Sequence, residues 1–210
     1  LQELGPLAQS RVVADAGILV DWQSWWALEL DSKPSTAVTF YDRLASFYGP
    51  LFAANITTDF VFTDSDFAAY KVIFVPNLYL VDDATAERLE AYVATGGTLV
   101  MGFFSGIVDE NEHIRLGGYP APFRKLLGIR VEEFAPLAEG EQNEVRFADG
   151  SSSACDLWAD VIDLEGATAL ATFTGNFYAG RAAITEHAFG RGRAIYIGTR
   201  LAPETTGALL

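Results

Sequence analysis

Two hydrophobic rhythms run along the chain. Ala16-Gly17-Ile18-Leu19-Val20 is an unbroken apolar run that ends at Asp21-Trp22. Runs of this length suit strands buried on both faces of a parallel sheet. Lys71 to Pro76 and Thr98 to Phe104 repeat the pattern, and Thr58 to Phe62 reads as another strand. Trp22, Trp25 and Trp26 read as a loop beyond the first strand. Pro34-Ser35 then predicts a helix start with Ser35 as N-cap. Tyr41, Leu44, Tyr48, Leu51 and Phe52 predict its inward face. Gly49-Pro50 predicts a kink or a two-part helix, because Pro50 has no N–H to give the preceding turn, and Asn55 is a left-handed stop. Asp82 or Asp83 caps the next helix. Leu89, Tyr92 and Val93 face inward, and Gly96-Gly97 ends it. This alternation predicts an α/β fold with a doubly wound, mostly parallel sheet.

The second half has a different pattern. Ile129–Phe134, Glu144–Phe147, Ala167–Phe173, Ala182–Ala188 and Arg193–Gly198 read as strands without long helices between them. Phe189-Gly190-Arg191-Gly192 reads as a tight hairpin. Ser151 to Ser153 reads as a loop that carries on to Cys155. There is no low-complexity linker and no internal repeat. The expectation is a single unit over residues 1–210, its β-rich second half continuing the sheet of the first.

Composition narrows the partners. Half the residues are apolar, 20% are charged and 13% are aromatic, as in a globular chain. Fourteen basic against 28 acidic residues give a formal charge of −14, which repels phosphates. Neither nucleic acid nor a membrane is expected as a partner, and no apolar run approaches the ~20 residues that span a bilayer. Cys155 is the one cysteine, so no intrachain disulfide forms and nothing requires an oxidising compartment. The first residues lack the basic start and apolar middle of a secretory leader, so the expected location is cytoplasmic. The absence of an initial Met and the apolar ending Gly207 to Leu210 suggest a domain cut from a longer polypeptide.

In an open parallel sheet, ligands gather beyond the carboxyl ends of the strands. Three strands deliver Asp21-Trp22, Pro76-Asn77 and Ser105-Gly106 to that edge. The long segment from Ser105 to Pro120 adds Asp109, Glu110, Glu112, His113 and Arg115. Catalytic readings fail one by one. Ser105 lacks the Gly-x-Ser-x-Gly frame of a hydrolase elbow. Glu132 and Glu133 are neighbours in a predicted strand and point to opposite faces, whereas retaining glycosidases need carboxylates about 5–5.5 Å apart. Asp109 and Glu110 read as capping residues or partners of Arg115. His113 and His187 are far apart with no His or Cys companion, so no metal is expected, and the glycine pairs lack a phosphate-loop Lys. No cofactor is expected either. The three tryptophans fit burial against their own domain or a binding wall, since aromatic residues are enriched at interface hot spots.

The ordered motifs Val20-Asp21-Trp22-Gln23-Ser24-Trp25-Trp26-Ala27-Leu28-Glu29, Pro76-Asn77-Leu78-Tyr79-Leu80, Gly96-Gly97-Thr98-Leu99, Ser105 to Glu110, Arg115 to Pro120, Leu127-Gly128-Ile129, Gly190 to Ala194 and Tyr196 to Thr199 carry a resemblance. Together they resemble the middle domain of glycoside hydrolase family 42 β-galactosidases, over roughly Ala14 to Leu201. The resemblance implies a fold like that of class I glutamine amidotransferases and a role in homotrimer assembly. It also implies that the catalytic glutamates, and any metal site, lie in a preceding (β/α)8 barrel. Such a barrel needs ~250 residues, more than this chain offers. Galactoside substrate would then be met only through the parent enzyme, and this chain would contribute no catalytic residue. On this reading Trp22, Trp25, Trp26, Asn77, Tyr79, Ser105, Asp109, Glu110, Arg115 and Tyr119 are the candidates for contact with neighbouring copies or for walling the barrel's entrance. The rival readings are a free-standing amidotransferase-like enzyme or ligand-binding module, and a carbohydrate-binding module using the tryptophans.

Overall fold

The computed structural model describes residues 5, 10–30 and 35–209. Its described strands form one 11-stranded sheet, accompanied by five α-helices. The parallel part comprises β1 (Ala16–Leu19), β2 (Thr58–Val61), β3 (Val72–Val75), β4 (Thr98–Gly102) and β10 (Gly192–Ile197), side by side in the order β2-β1-β3-β4-β10. From β10 the sheet turns antiparallel through β9 (Ala182–Phe189), β8 (Thr168–Phe173), β6 (Gln142–Phe147), β7 (Ser152–Leu164) and β11 (Thr199–Leu201). β5 (Ile129–Pro136) also pairs with β7. The expected α/β sheet with a parallel core is present, but the sheet as a whole is mixed rather than mostly parallel, because the strands of the second half other than β10 pair antiparallel with their neighbours.

Side-chain alternation along the parallel strands builds a core on each face. Ile18, Phe74, Val100, Ile195 and Ile197 meet Phe47 and Leu51 of α2 (Phe40–Ala53). Leu19, Ile73, Val75, Leu99 and Met101 meet Leu89, Tyr92 and Val93 of α3 (Asp83–Ala94). Helices therefore cover both faces, as double winding requires. A third core sits at the carboxyl edge, where Val20, Leu28, Phe40, Leu80, Phe103, Phe104, Val108 and Trp158 converge.

Several local expectations change. Trp22, Trp25 and Trp26 lie not in a loop but in α1 (Trp22–Leu28), capped by Asp21, whose carboxylate accepts from Ser24 N at 2.7 Å. The cap removes an orphan donor, which makes so short a helix possible. Pro34 lies outside the described residues. Ser35 makes only a local turn, its hydroxyl accepting from Ala37 N, and Thr39 is the true cap of α2. α2 runs through Pro50 as one helix. Its inward face is Phe40, Arg43, Phe47 and Leu51, while Tyr41, Tyr48 and Phe52 point outward. Both stripes have helical spacing, so packing decided between them. Cys155 is not in a loop: it lies buried in β7, the longest strand. A bulge at Glu132 leaves both Glu132 and Glu133 exposed and breaks the expected alternation. Asn55 is left-handed with φ 58°, and Gly190 opens the β9–β10 hairpin with φ 59°, as expected. The final helix, α5 (Pro203–Leu209), packs against α2.

Candidate functional site

The carboxyl edge is where this architecture would place a ligand, and here the edge is filled by the protein itself. Phe104 follows β4 with φ +59°, a left-handed conformation costly for a bulky residue. Its ring packs on Trp158, Phe134 and Tyr79, with centroids 4.9, 5.7 and 5.1 Å away. Phe103 stacks on Trp158 at 5.7 Å on one side, and the Arg43 guanidinium lies 4.1 Å from the Phe103 ring centre. The left-handed turn after β4 thus presents an apolar ring to the edge.

A buried polar network backs this aromatic plug. Asp160 accepts from the Trp158 indole N–H at 2.7 Å and from the Tyr196 hydroxyl at 2.6 Å. Burial pushes its carboxyl up to about 7, against the opposing pull of those two hydrogen bonds and of Arg43. The Tyr196 hydroxyl is shifted well up by burial and by Asp160. None of these groups faces a cavity able to hold a substrate: the space bounded by Phe104, Ser105, Tyr119, Asp160 and Tyr196 has no room for a water-sized body.

Two sequence candidates for contact lie inside the molecule. Ser105 is fully buried, its hydroxyl donating to Gly102 O at 2.9 Å and accepting from Leu78 N at 3.0 Å. Asn77 is buried and donates to Phe103 O at 3.0 Å and Phe104 O at 3.3 Å. Both fasten the β3 and β4 exits together and have no surface to offer a partner. Burial also pushes the Cys155 thiol up to about 11, which disfavours the thiolate a nucleophile needs.

The other candidates form the rim. Trp22 and Trp26 are 51% and 67% exposed. Trp25 is half-buried in a ring ladder, stacked on Trp22 at 5.4 Å and Phe40 at 5.1 Å. Asp109 accepts from Asn111 N and His113 N, both at 2.9 Å, and these backbone bonds hold its carboxyl below the usual range. Glu110 is exposed beside it. Arg115 pairs with neither: it donates to Asp83 at 2.6 Å and to Val81 O at 2.6 Å, fastening the long loop to the start of α3. Tyr79 and Tyr119 are half-buried, Tyr119 lying on Phe134 at 4.9 Å, and burial raises both phenols. Ile114 and Leu116, 71% and 90% exposed, were not singled out by the sequence and add apolar surface to this loop.

The site so built is a packed edge with an apolar rim, and the class of protein it defines is an α/β packing module. The family described as Beta-galactosidase trimerisation domain matches residues 14–210, and the chain belongs to that family. β-Galactosidase bgaB of Geobacillus kaustophilus is 46% identical over 210 residues, covering 100% of this chain and 31% of the relative. β-Galactosidase LacZ of Heyndrickxia coagulans is 44% identical with the same coverage. The crystal structure of the β-galactosidase from Bacillus circulans sp. alkalophilus superposes with a TM-score of 0.96 at 36% identity, over 100% of this chain and 32% of that one. The chain thus spans about a third of the length of the relatives it matches.

Proposed function

We propose that this chain is the assembly domain of a larger β-galactosidase, holding three copies together and helping to wall the entrance of a neighbouring catalytic barrel. Hydrolysis of terminal β-D-galactosides belongs, on this reading, to a retaining glutamate pair in that barrel, in a cytoplasmic enzyme. The domain itself is a single unit over residues 1–210, derived from an amidotransferase-like fold whose nucleophile position is taken by Phe104. One observation carries the reading: the carboxyl edge is plugged from within while its rim leaves Trp22, Trp26, Ile114 and Leu116 on the surface. Such residues lose water contact favourably only when another surface covers them.

The test is the mass of the polypeptide in solution, by light scattering across a dilution series, for the parent sequence and for Trp22→Ala with Trp26→Ala. Both rings are half or more exposed, so the substitutions leave the fold intact. If they are interface hot spots, each weakens association by about 30-fold. Association unchanged by both substitutions would move the interface elsewhere. A monomer at every concentration and salt would end the assembly reading for the isolated chain.

A further inference from the structure

The strand β2 closes the parallel end of the sheet and pairs, among the described strands, with β1 alone. Edge strands are commonly blunted by lysine, proline or a bulge, because their unpaired backbone groups otherwise recruit another segment. β2 has none of these. Its sequence is Thr58-Asp59-Phe60-Val61, its register with β1 is regular, and its one charge, Asp59, accepts from the Tyr70 hydroxyl at 3.1 Å. Tyr48 and Phe52 of α2 extend the apolar surface beside it. The Tyr48 ring lies 5.9 Å from Phe52 and 5.6 Å from Phe60, so the three form one aromatic patch, with Phe52 70% and Phe60 51% exposed. A contiguous patch of this kind marks a surface that something covers.

The paths of the two chain ends select the cover. Residues 10–15 enter β1 at its amino end, where Ala16 stands beside Thr58, so the incoming segment runs next to the start of β2. It carries Val12 and Val13, both largely exposed, just before the buried Ala14. The outgoing helix α5 lies on the other flank of α2: Thr206 shares a small cavity with Arg43, Ser46 and Phe47, and Gly207 faces Pro50. Those α2 positions are half a helical turn away from Tyr48 and Phe52. Exposed apolar surface therefore accompanies the incoming end and not the outgoing one. The relatives are about three times as long as this chain, which leaves ample polypeptide outside it. A preceding segment tethered at residues 10–15 meets the patch at high effective concentration. A second copy is the poorer occupant, since a patch that pairs with itself has two-fold symmetry and does not close three copies.

Resting on the reading of a longer parent enzyme, we infer that the patch of Tyr48, Phe52 and Phe60, with the open edge of β2, seats the polypeptide that precedes this domain in the same chain. The domain is thereby fastened to its own subunit at β2, and the rim of Trp22 and Trp26 is left for neighbouring copies.

The full-length parent enzyme tests this, with Phe52, and separately Phe60, replaced by the photoreactive p-benzoylphenylalanine. Irradiation should give a product that runs as one subunit on a denaturing gel, its cross-link mapping by mass spectrometry to residues that precede this domain. A product of two subunits' mass, a cross-link to residues after Leu210, or no cross-link at either position overturns the proposal. In a second experiment, Phe52→Gln with Phe60→Thr should speed protease cleavage between the preceding polypeptide and β1 by about tenfold or more, because cleavage follows the undocked population. Gln suits a helix and Thr a strand, and both positions are exposed, so the domain itself folds. Unchanged cleavage refutes the seat. Light scattering on the same samples reads assembly separately. A parent enzyme that never associates ends the assembly reading but not the seat, whereas an intact assembly with no intrasubunit cross-link ends the seat alone.

Discussion

Asp160 shows what one residue does in this molecule. Its folded-state pKa, about 7, lies above the ordinary 3.8. The unfolded chain therefore ionises this group first as pH rises. The group's contribution to stability is fully present below about pH 4, falls as pH climbs towards 7, and is flat beyond. One pKa unit corresponds to about 1.4 kcal/mol, so the whole span is on the order of 4 kcal/mol. Asp160→Asn keeps an acceptor for the Trp158 N–H and can donate to the Tyr196 oxygen. Urea unfolding at pH 4.5 and 7.5 should show the parent losing stability between the two values by more than the variant. An equal loss in both would place the titration elsewhere. Neither Asp160 nor Arg43 was legible from the sequence. The i, i+2 pair Trp158 and Asp160 and the 40-43-47-51 stripe were available as signals. A charged residue inside a core, however, is recognised only once its neighbours are known.

Among the elements, α3 and its surroundings follow local rules most closely. Asp82 accepts from Thr85 N at 2.7 Å, and hydrogen bonding at Thr85 holds its carboxyl below the usual range. Asp82→Ala should lower stability by about 1 kcal/mol, read from the shift in denaturation midpoint at unchanged slope. The β9–β10 hairpin packs its turn against the end of this helix. A methyl group added at Gly192 would run into the backbone carbonyls of Val93 and Gly97. Gly192→Ala should therefore cost about 1–3 kcal/mol, the usual range for overpacking, and an unchanged midpoint would show that the backbone gives way freely. These caps and turns were readable because they depend on residues a few positions apart. α2 was readable as a helix but not in its orientation, since either of two aromatic stripes satisfies the 3.6-residue period. β7 escaped altogether. Its polar start and its acids Asp156, Asp160 and Asp163 hide a strand that is buried through most of its length by β5, β6 and β11.

At the level of the whole molecule, three cores meet in one sheet, and the third closes the edge where chemistry would otherwise take place. That arrangement suits a domain whose work is done at its surface. Bringing together copies that each carry −14 is opposed by mutual repulsion, which salt screens within about 10 Å at 0.1 M. Association measured by light scattering should therefore strengthen as salt rises. Weaker association at high salt would mean that attractive ion pairs dominate the contact. Besides the rim, Tyr48, Phe52 and Phe60 form an exposed aromatic group, with ring centroids 5.6–5.9 Å apart, on α2 and the edge strand β2.

The parallel strands, the capped helix α3, the hairpin glycines and the family resemblance were all present in the order of the residues, because each rests on local periodicity, backbone conformation or short motifs. Which face of α2 turns inward, whether Asn77 and Ser105 lie at the surface, and how Phe104, Trp158 and Arg43 close the ligand edge were decided only by packing. Those outcomes depend on contacts between residues far apart in the chain. Many local patterns are compatible with the sequence, and the one adopted is the one that fills the core.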